Sequence, residues 1–176
     1  MRVPLPDEKK RHFPNLRTLN HSVTSEETIG KKVIYNCVAW AAIGDTSKWW
    51  QAGTGPSFYW PRGLLSDDSL QSYIALFEFF GYRQCTSDGI EIFQEKIAIY
   101  EHPPGEFSHV CYQLFSGWTS KLGGWEDIHH ETLEDLEGQL YGKAKIIMKR
   151  RCGTRGFLAR IFFHATNYLW PLRRPA

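Results

Sequence analysis

Apolar positions recur along the chain at two different periods, and the change from one to the other divides it. Leu70, Tyr73, Ile74 and Phe77 fall at helical spacing behind the polar cluster Ser66-Asp67-Asp68, and Gly81 follows them. This predicts a core-packing helix with a capped, acidic first turn. An earlier short run, Cys37-Val38-Ala39-Trp40-Ala41-Ala42-Ile43, stands between Asn36, a good N-cap, and Gly44-Asp45, a stop and turn. It predicts a second, shorter helix with Cys37 at its head. After Ser87-Asp88-Gly89 the pattern becomes strand-like, with runs at 96–100, 109–114, 118–122 and 145–148. Phe115-Ser116-Gly117 reads as a three-residue hairpin connection, and 131–137 as a helical turn closed by Gly138. The expected fold class is α+β: helices from the N-terminal half packed on a small antiparallel sheet from the second half.

Length and composition fit one domain with a sizeable core. The chain has 176 residues, 42% of them hydrophobic and 15% aromatic, which excludes a disordered polymer. Residues 1–30 read as a polar, proline-punctuated lead-in, 31–150 as a single domain, and 151–176 as a basic, apolar tail. Charge sharpens the last boundary. Up to residue 142, twelve basic against nineteen acidic groups give −7, and from Lys143 onward nine basic groups and no acid give +9. No apolar run is long enough to span a bilayer, and the first residues hold no apolar signal segment. The four cysteines are widely spaced, with no C-x-x-C pair, which argues against a zinc site or redox dithiol. The expectation is a cytoplasmic protein with reduced thiols, no metal and no cofactor.

Cys37 is the residue around which chemistry can be arranged. At a helix N-terminus the unpaired backbone N–H groups favour a thiolate, the nucleophilic form of cysteine. The bland alternative is that Cys37 is core packing, as most cysteines among alanines are. A nucleophile needs a base, and His109 opens a predicted strand whose hairpin partner carries Thr119, Ser120 and Lys121. Ser120 is therefore in reach of the imidazole, and Asp127 or Glu126 just beyond offers a second way to orient it. Asn36, Trp40, Trp49, Trp50 and Lys121 are the candidate substrate contacts around this pair.

Several strings carry a resemblance. They are Asn36-Cys37-Val38-Ala39-Trp40-Ala41, Gly44-Asp45 with Trp49-Trp50, Tyr59-Trp60-Pro61, Gly81-Tyr82, Ser108-His109-Val110, Trp118-Thr119-Ser120-Lys121-Leu122-Gly123, Glu126-Asp127-Ile128-His129-His130, and Leu136-Glu137-Gly138 with Tyr141-Gly142. Together, over about residues 33–150, they resemble a family of small bacterial proteins that brings no activity with it. More distantly, a cysteine on a helix followed by a histidine on a strand is similar to the papain-like and NlpC/P60-like cysteine peptidases and amidases. That likeness implies a thiol hydrolase or acyltransferase acting on an amide or ester bond, with Cys37 attacking and His109 moving the proton. Where those enzymes often place a third polar residue, commonly histidine, on the next strand, this chain has Ser120 and Lys121.

The competing class is a non-enzymatic binding module that uses a tryptophan-rich surface, with Cys37 as core. Other residues carry less. Adjacent histidines such as His129 and His130 point to opposite faces of a strand, which disfavours a metal site. Cys85 and Cys111 sit in apolar settings and are expected to be buried and inert. In the tail, residues 156–170 form an apolar stretch interrupted by Arg160 and flanked by further arginines. Its sides are not cleanly polar and apolar, so docking on its own domain, on a second copy or on a protein partner is favoured over a membrane surface. No nucleic-acid partner is expected, because the basic residues interleave with large aliphatics.

Overall fold

In the computed structural model the three longest strands, each of nine residues, build the core of the sheet. The structure describes residues 5–16, 22–23, 35–43, 49–52 and 58–152. In chain order the elements are α1 (Asp7–Lys10), β1 (Ser22–Val23), α2 (Cys37–Ile43), β2 (Trp49–Trp50), β3 (Phe58–Tyr59), α3 (Leu70–Phe79) and β4 (Arg83–Cys85). There follow β5 (Gln94–His102), β6 (Glu106–Leu114), β7 (Gly117–Lys121), β8 (Asp127–His130), a 3-10 turn (Glu134–Leu136) and β9 (Lys143–Arg151). Seven strands form one sheet in the order β1-β8-β7-β6-β5-β9-β4, with every neighbouring pair antiparallel. β2 and β3 make a separate parallel pair. The architecture is α+β and dominated by its sheet.

Both faces of the sheet are covered, which is why β5 reads as a nearly continuous apolar run. Side chains alternate between faces along a strand. Ile97 and Ile99 join Val110 and Met148 on one face, against Val38, Ala39 and Ala41 of α2 and Tyr73, Ile74, Leu76 and Phe77 of α3. Ala98 and Tyr100 join Cys111, Trp118 and Ile128 on the other, against Leu5, Phe13, Leu16, Leu133 and Leu136. Each fully buried large apolar side chain contributes ~1.5–3 kcal/mol, so neither layer is dispensable.

The second layer contains a surprise. Leu5, Phe13 and Leu16 come from the lead-in, and Phe13 is only 1% exposed. Lys9 of α1 reinforces the contact by donating to both carboxylate oxygens of Glu126, at 3.0 and 3.1 Å. The pair is almost fully shielded from water, so removing one partner would strand a buried charge. A polar average had hidden three well-placed core residues.

Other details differ from the sequence expectation for local reasons. The β6–β7 connection has two residues, not three, because Gly117 already pairs with Leu114. Helix α3 is capped by Ser69, whose hydroxyl accepts from the Ser72 N–H, while Asp67 accepts from the Ser69 N–H and from both serine hydroxyls. Strands β4 and β8 are short and carry few apolar residues, and they form by pairing on β9 and β7. Among the described residues no helix is long and apolar enough to cross a membrane. The Gly44-Asp45 stop and the 156–170 stretch lie outside the described residues.

One loop is tightly specified. Gly138 and Gly142 exchange backbone hydrogen bonds of 3.0 and 2.8 Å and so close the turn that carries Tyr141. Gly142 has φ +67°, and a β-carbon there would run into the Glu101 carbonyl. Gly142→Ala is therefore expected to cost more than ~1 kcal/mol of stability, read as a lower Tm; an unchanged Tm would mean that the loop relaxes freely.

Candidate functional site

The site begins with the side chain of Asn36, which is buried. Its Oδ1 accepts from the Ala39 N–H at 3.2 Å, capping α2, and from the Trp50 N–H at 3.2 Å. Its Nδ2 donates to the Trp50 carbonyl at 2.6 Å. The amide thus fixes both the start of α2 and the strand beside it. These internal bonds occupy the groups that a substrate contact would use.

Cys37 follows directly and sits against a break in the sheet. Pairing between β6 and β7 stops at Tyr112↔Thr119, while β7 runs on along β8 as far as Lys121↔Asp127. In an antiparallel ladder closed by the Leu114–Gly117 pair, the N–H groups of residues 114, 112 and 110 point toward β7. Beyond Tyr112 that side is open, and the Val110 N–H lies near enough to the Cys37 sulfur to act on it. The Val38 N–H, at the start of α2, also lowers the cost of charge on the sulfur. Since the Val110 nitrogen is bonded to the His109 carbonyl carbon, the sulfur lies within ~7 Å of the His109 Cα.

The thiolate expected from the sequence is not the resting form. Burial raises the Cys37 thiol to about 11, outweighing the nearby backbone N–H groups and the Lys121 charge, all of which pull it down. α2 spans only seven residues, and a group 7% exposed loses more by desolvation than a short helix returns. Cys37 is a neutral thiol at pH 7.

His109 reaches the same break from the other side. Strand alternation sends its ring to the face opposite Val110, where it stacks on Tyr141 (centroids 4.0 Å apart, 13° between planes) and meets Tyr100 edge-on at 5.6 Å. Its Nε2 is 3.1 Å from Ser120 Oγ. Its Nδ1 is buried and has no hydrogen-bond partner. Burial, with a smaller effect of His130, holds this imidazole well below its ordinary pKa, so it too is neutral. No hydrogen bond joins Cys37 to His109: Cys37 packs with Val110 and the α2–α3 layer on one face of the sheet, and the His109 ring lies on the other face against Tyr141.

Ser120 continues the polar chain, with its Oγ 2.9 Å from His130 Nε2, and His130 Nδ1 lies 2.8 Å from the Thr132 carbonyl. Asp127 stands elsewhere. Its Oδ2 accepts from the Tyr35 hydroxyl at 2.8 Å, and its Oδ1 is 3.7 Å from Lys121 Nζ. Lys121 also donates to the Trp125 carbonyl and lies 5.0 Å over the Tyr35 ring. Ser120 and Asp127 therefore serve different partners, Ser120 the imidazole and Asp127 the Lys121 ammonium near Cys37.

Of the tryptophan candidates, Trp50 is core, wedged between Tyr59 at 4.5 Å and Phe80 at 5.3 Å. Trp40 is half-buried with its ring 6.1 Å from Tyr35. Of Trp49 only the backbone is described. Trp60 and Trp125 are half-buried and Trp118 is buried. Sequence reasoning did not foresee Tyr141, the Val110 N–H or the second histidine, His130. Only the last left a trace: Ser120 and His130 lie on strands that pair, two positions apart in register. Cys85 is the one half-exposed thiol among four free cysteines, and Cys111 is buried.

Residues 22–149 match the model of a protein family described as a domain of unknown function, DUF7689. No curated protein and no solved structure matches the chain.

The two buried histidines set an acid limit. Burial lowers His130 from 6.5 to about 4, against the opposing Thr132 hydrogen bond and Asp135 charge, and His109 is displaced in the same direction. Below the ordinary histidine pKa the unfolded chain binds protons that the folded chain refuses, so stability rises with pH across this window. It is fully present above about pH 6.5 and is lost as pH falls toward about 4. Equilibrium unfolding from pH 7 to 4 is expected to show this slope, and His130→Gln to flatten it; equal slopes would mean that His130 is protonated in the folded chain.

Proposed function

From the premise that the chain belongs to the DUF7689 family, which assigns it no reaction, we propose a thiol hydrolase or acyltransferase that acts on an amide or ester carbonyl. The observation that carries the reading is the pairing at the sheet break. The Cys37 sulfur lies near the N–H of Val110, and His109, the next residue along β6, keeps Nδ1 buried and unpartnered while Ser120 holds Nε2. An unsatisfied buried acceptor costs ~1–3 kcal/mol, and a nitrogen kept that way is suited to take a proton that comes within its reach.

The chemistry starts from two neutral groups. The break between β6 and β7 must open to bring the two within hydrogen-bond reach; then, as the Cys37 sulfur bonds to the carbonyl carbon, its proton passes to His109 Nδ1. The carbonyl electron pair moves onto oxygen, where backbone N–H groups now bonded to sulfur are the nearest donors. When the tetrahedral species collapses, the C–N or C–O bond breaks and the leaving group takes the proton from His109. Water or an acceptor nucleophile then releases the acyl group from Cys37. Lys121, held by Asp127, favours negative charge at the sulfur throughout. The papain-like likeness rests only on the order of a helix-borne cysteine and a strand-borne histidine, and here the helix and the imidazole occupy opposite faces of the sheet. Unpaired thiols suit a reducing, cytoplasmic setting.

The binding-module reading has one observation of its own, the burial of Cys37 and His109. Against it, none of the described tryptophan side chains is exposed. An activated aryl ester of a short acyl group separates the two. The full chain is expected to form an acyl adduct on Cys37, located by mass spectrometry, and His109→Ala to slow its formation ~10²-fold or more. Acylation of Cys85 with none on Cys37, or equal rates in the His109→Ala chain, would leave the binding module standing.

A further inference from the structure

We propose that His130 is a positioning residue, which acts through the Ser120 hydroxyl to lock His109 in the tautomer whose Nδ1 is the free base. The proposal rests on the thiol reading for its purpose but not for its geometry. It follows from which atoms can donate. A carbonyl oxygen only accepts, so the 2.8 Å contact between His130 Nδ1 and the Thr132 carbonyl requires the hydrogen on Nδ1. In a neutral ring Nε2 is then an acceptor, and the 2.9 Å contact with Ser120 must be made by the serine hydroxyl donating. Ser120 has a single hydrogen and has now spent it. Its oxygen faces His109 Nε2 at 3.1 Å as an acceptor, so that nitrogen must carry the hydrogen. His109 Nδ1 is left with its lone pair, and it is the buried nitrogen with no partner.

The far end of the chain is anchored as firmly. The Asp135 carboxylate accepts from the backbone N–H of both Glu131 (2.9 Å) and Thr132 (3.0 Å), which fixes the turn that presents the Thr132 carbonyl to the relay. Ser120, His109 and His130 are all completely buried, so water does not compete for the hydroxyl hydrogen. Burial also keeps both imidazoles neutral at pH 7, as the assignment requires. A serine between two histidines would otherwise be free to point its hydrogen either way; the Thr132 carbonyl removes the choice.

Long-range proton–nitrogen correlation of the imidazoles in the uniformly labelled full chain at pH 7 tests this. His109 is expected as the Nε2–H tautomer and His130 as the Nδ1–H tautomer. In His130→Phe the serine hydroxyl loses its acceptor and turns to His109, so the His109 Nε2–H signature should be lost in favour of Nδ1–H. In Ser120→Ala, the smaller change, His109 should lose its single tautomer while His130 keeps Nδ1–H. A merely structural His130 would alter stability and leave the tautomer of His109 unmoved, and that result overturns the proposal, as does Nδ1–H on His109 in the unaltered chain. The expected tautomers with no acylation of Cys37 would keep the relay and remove the thiol reading. Acylation with the opposite tautomer would remove the relay alone.

Discussion

The site depends on a sheet that stops pairing two residues early. Were β6 and β7 to continue in register past Tyr112 and Thr119, the Val110 N–H would be spent on the ladder. The Cys37 sulfur would then lose the open backbone edge it now lies against. The gap has a backbone donor to satisfy, and a buried N–H without a partner is rarely tolerated. The Cys37 sulfur lies close to it from above, and the His109–Ser120 contact bridges the same two strands from below. Asn36 keeps the arrangement in place, since its one amide both caps α2 and ties it to the Trp50 backbone.

Burial, more than local charge, decides protonation here. The helix N-terminus, the N–H groups and Lys121 all favour a thiolate, yet the resting sulfur is a thiol because the low-dielectric surroundings oppose charge more strongly. The same surroundings keep the two histidines neutral. A neutral interior is what allows a directional relay, because a cationic imidazole donates from both nitrogens and carries no tautomer to fix.

Much of the fold was legible because periodicity survives averaging. The α3 helix and the cores of β5, β6, β7 and β9 appear where the apolar spacing predicts them. What was not legible is made by pairing or by single residues. β8 carries the string Asp127-Ile128-His129-His130, with one apolar residue in four, and exists because β7 offers it an edge. Leu5, Phe13 and Leu16 are too sparse in a polar lead-in to announce a core layer. At the site, the strand position of Ser120 was enough to place it beside His109, but the separation of Asp127 was not. Asp127 pairs opposite Lys121 on the far side of β7 from the imidazole, a distinction that requires knowing β8 exists.

His130 shows why a residue's role can escape a reading by type and spacing. Next to His129 it suggests a metal ligand, and strand alternation correctly separates the two: His129 Nε2 lies 3.1 Å from Ser116 Oγ, while His130 turns into the interior toward Ser120. Its chemical consequence depends on no charge and no ligand of its own. It depends on a carbonyl that cannot donate, a hydroxyl with one hydrogen and a neutral ring with one lone pair. Three such constraints in series leave one assignment, and they carry the geometry of a loop at Thr132 through Ser120 to the lone pair of a buried nitrogen on His109.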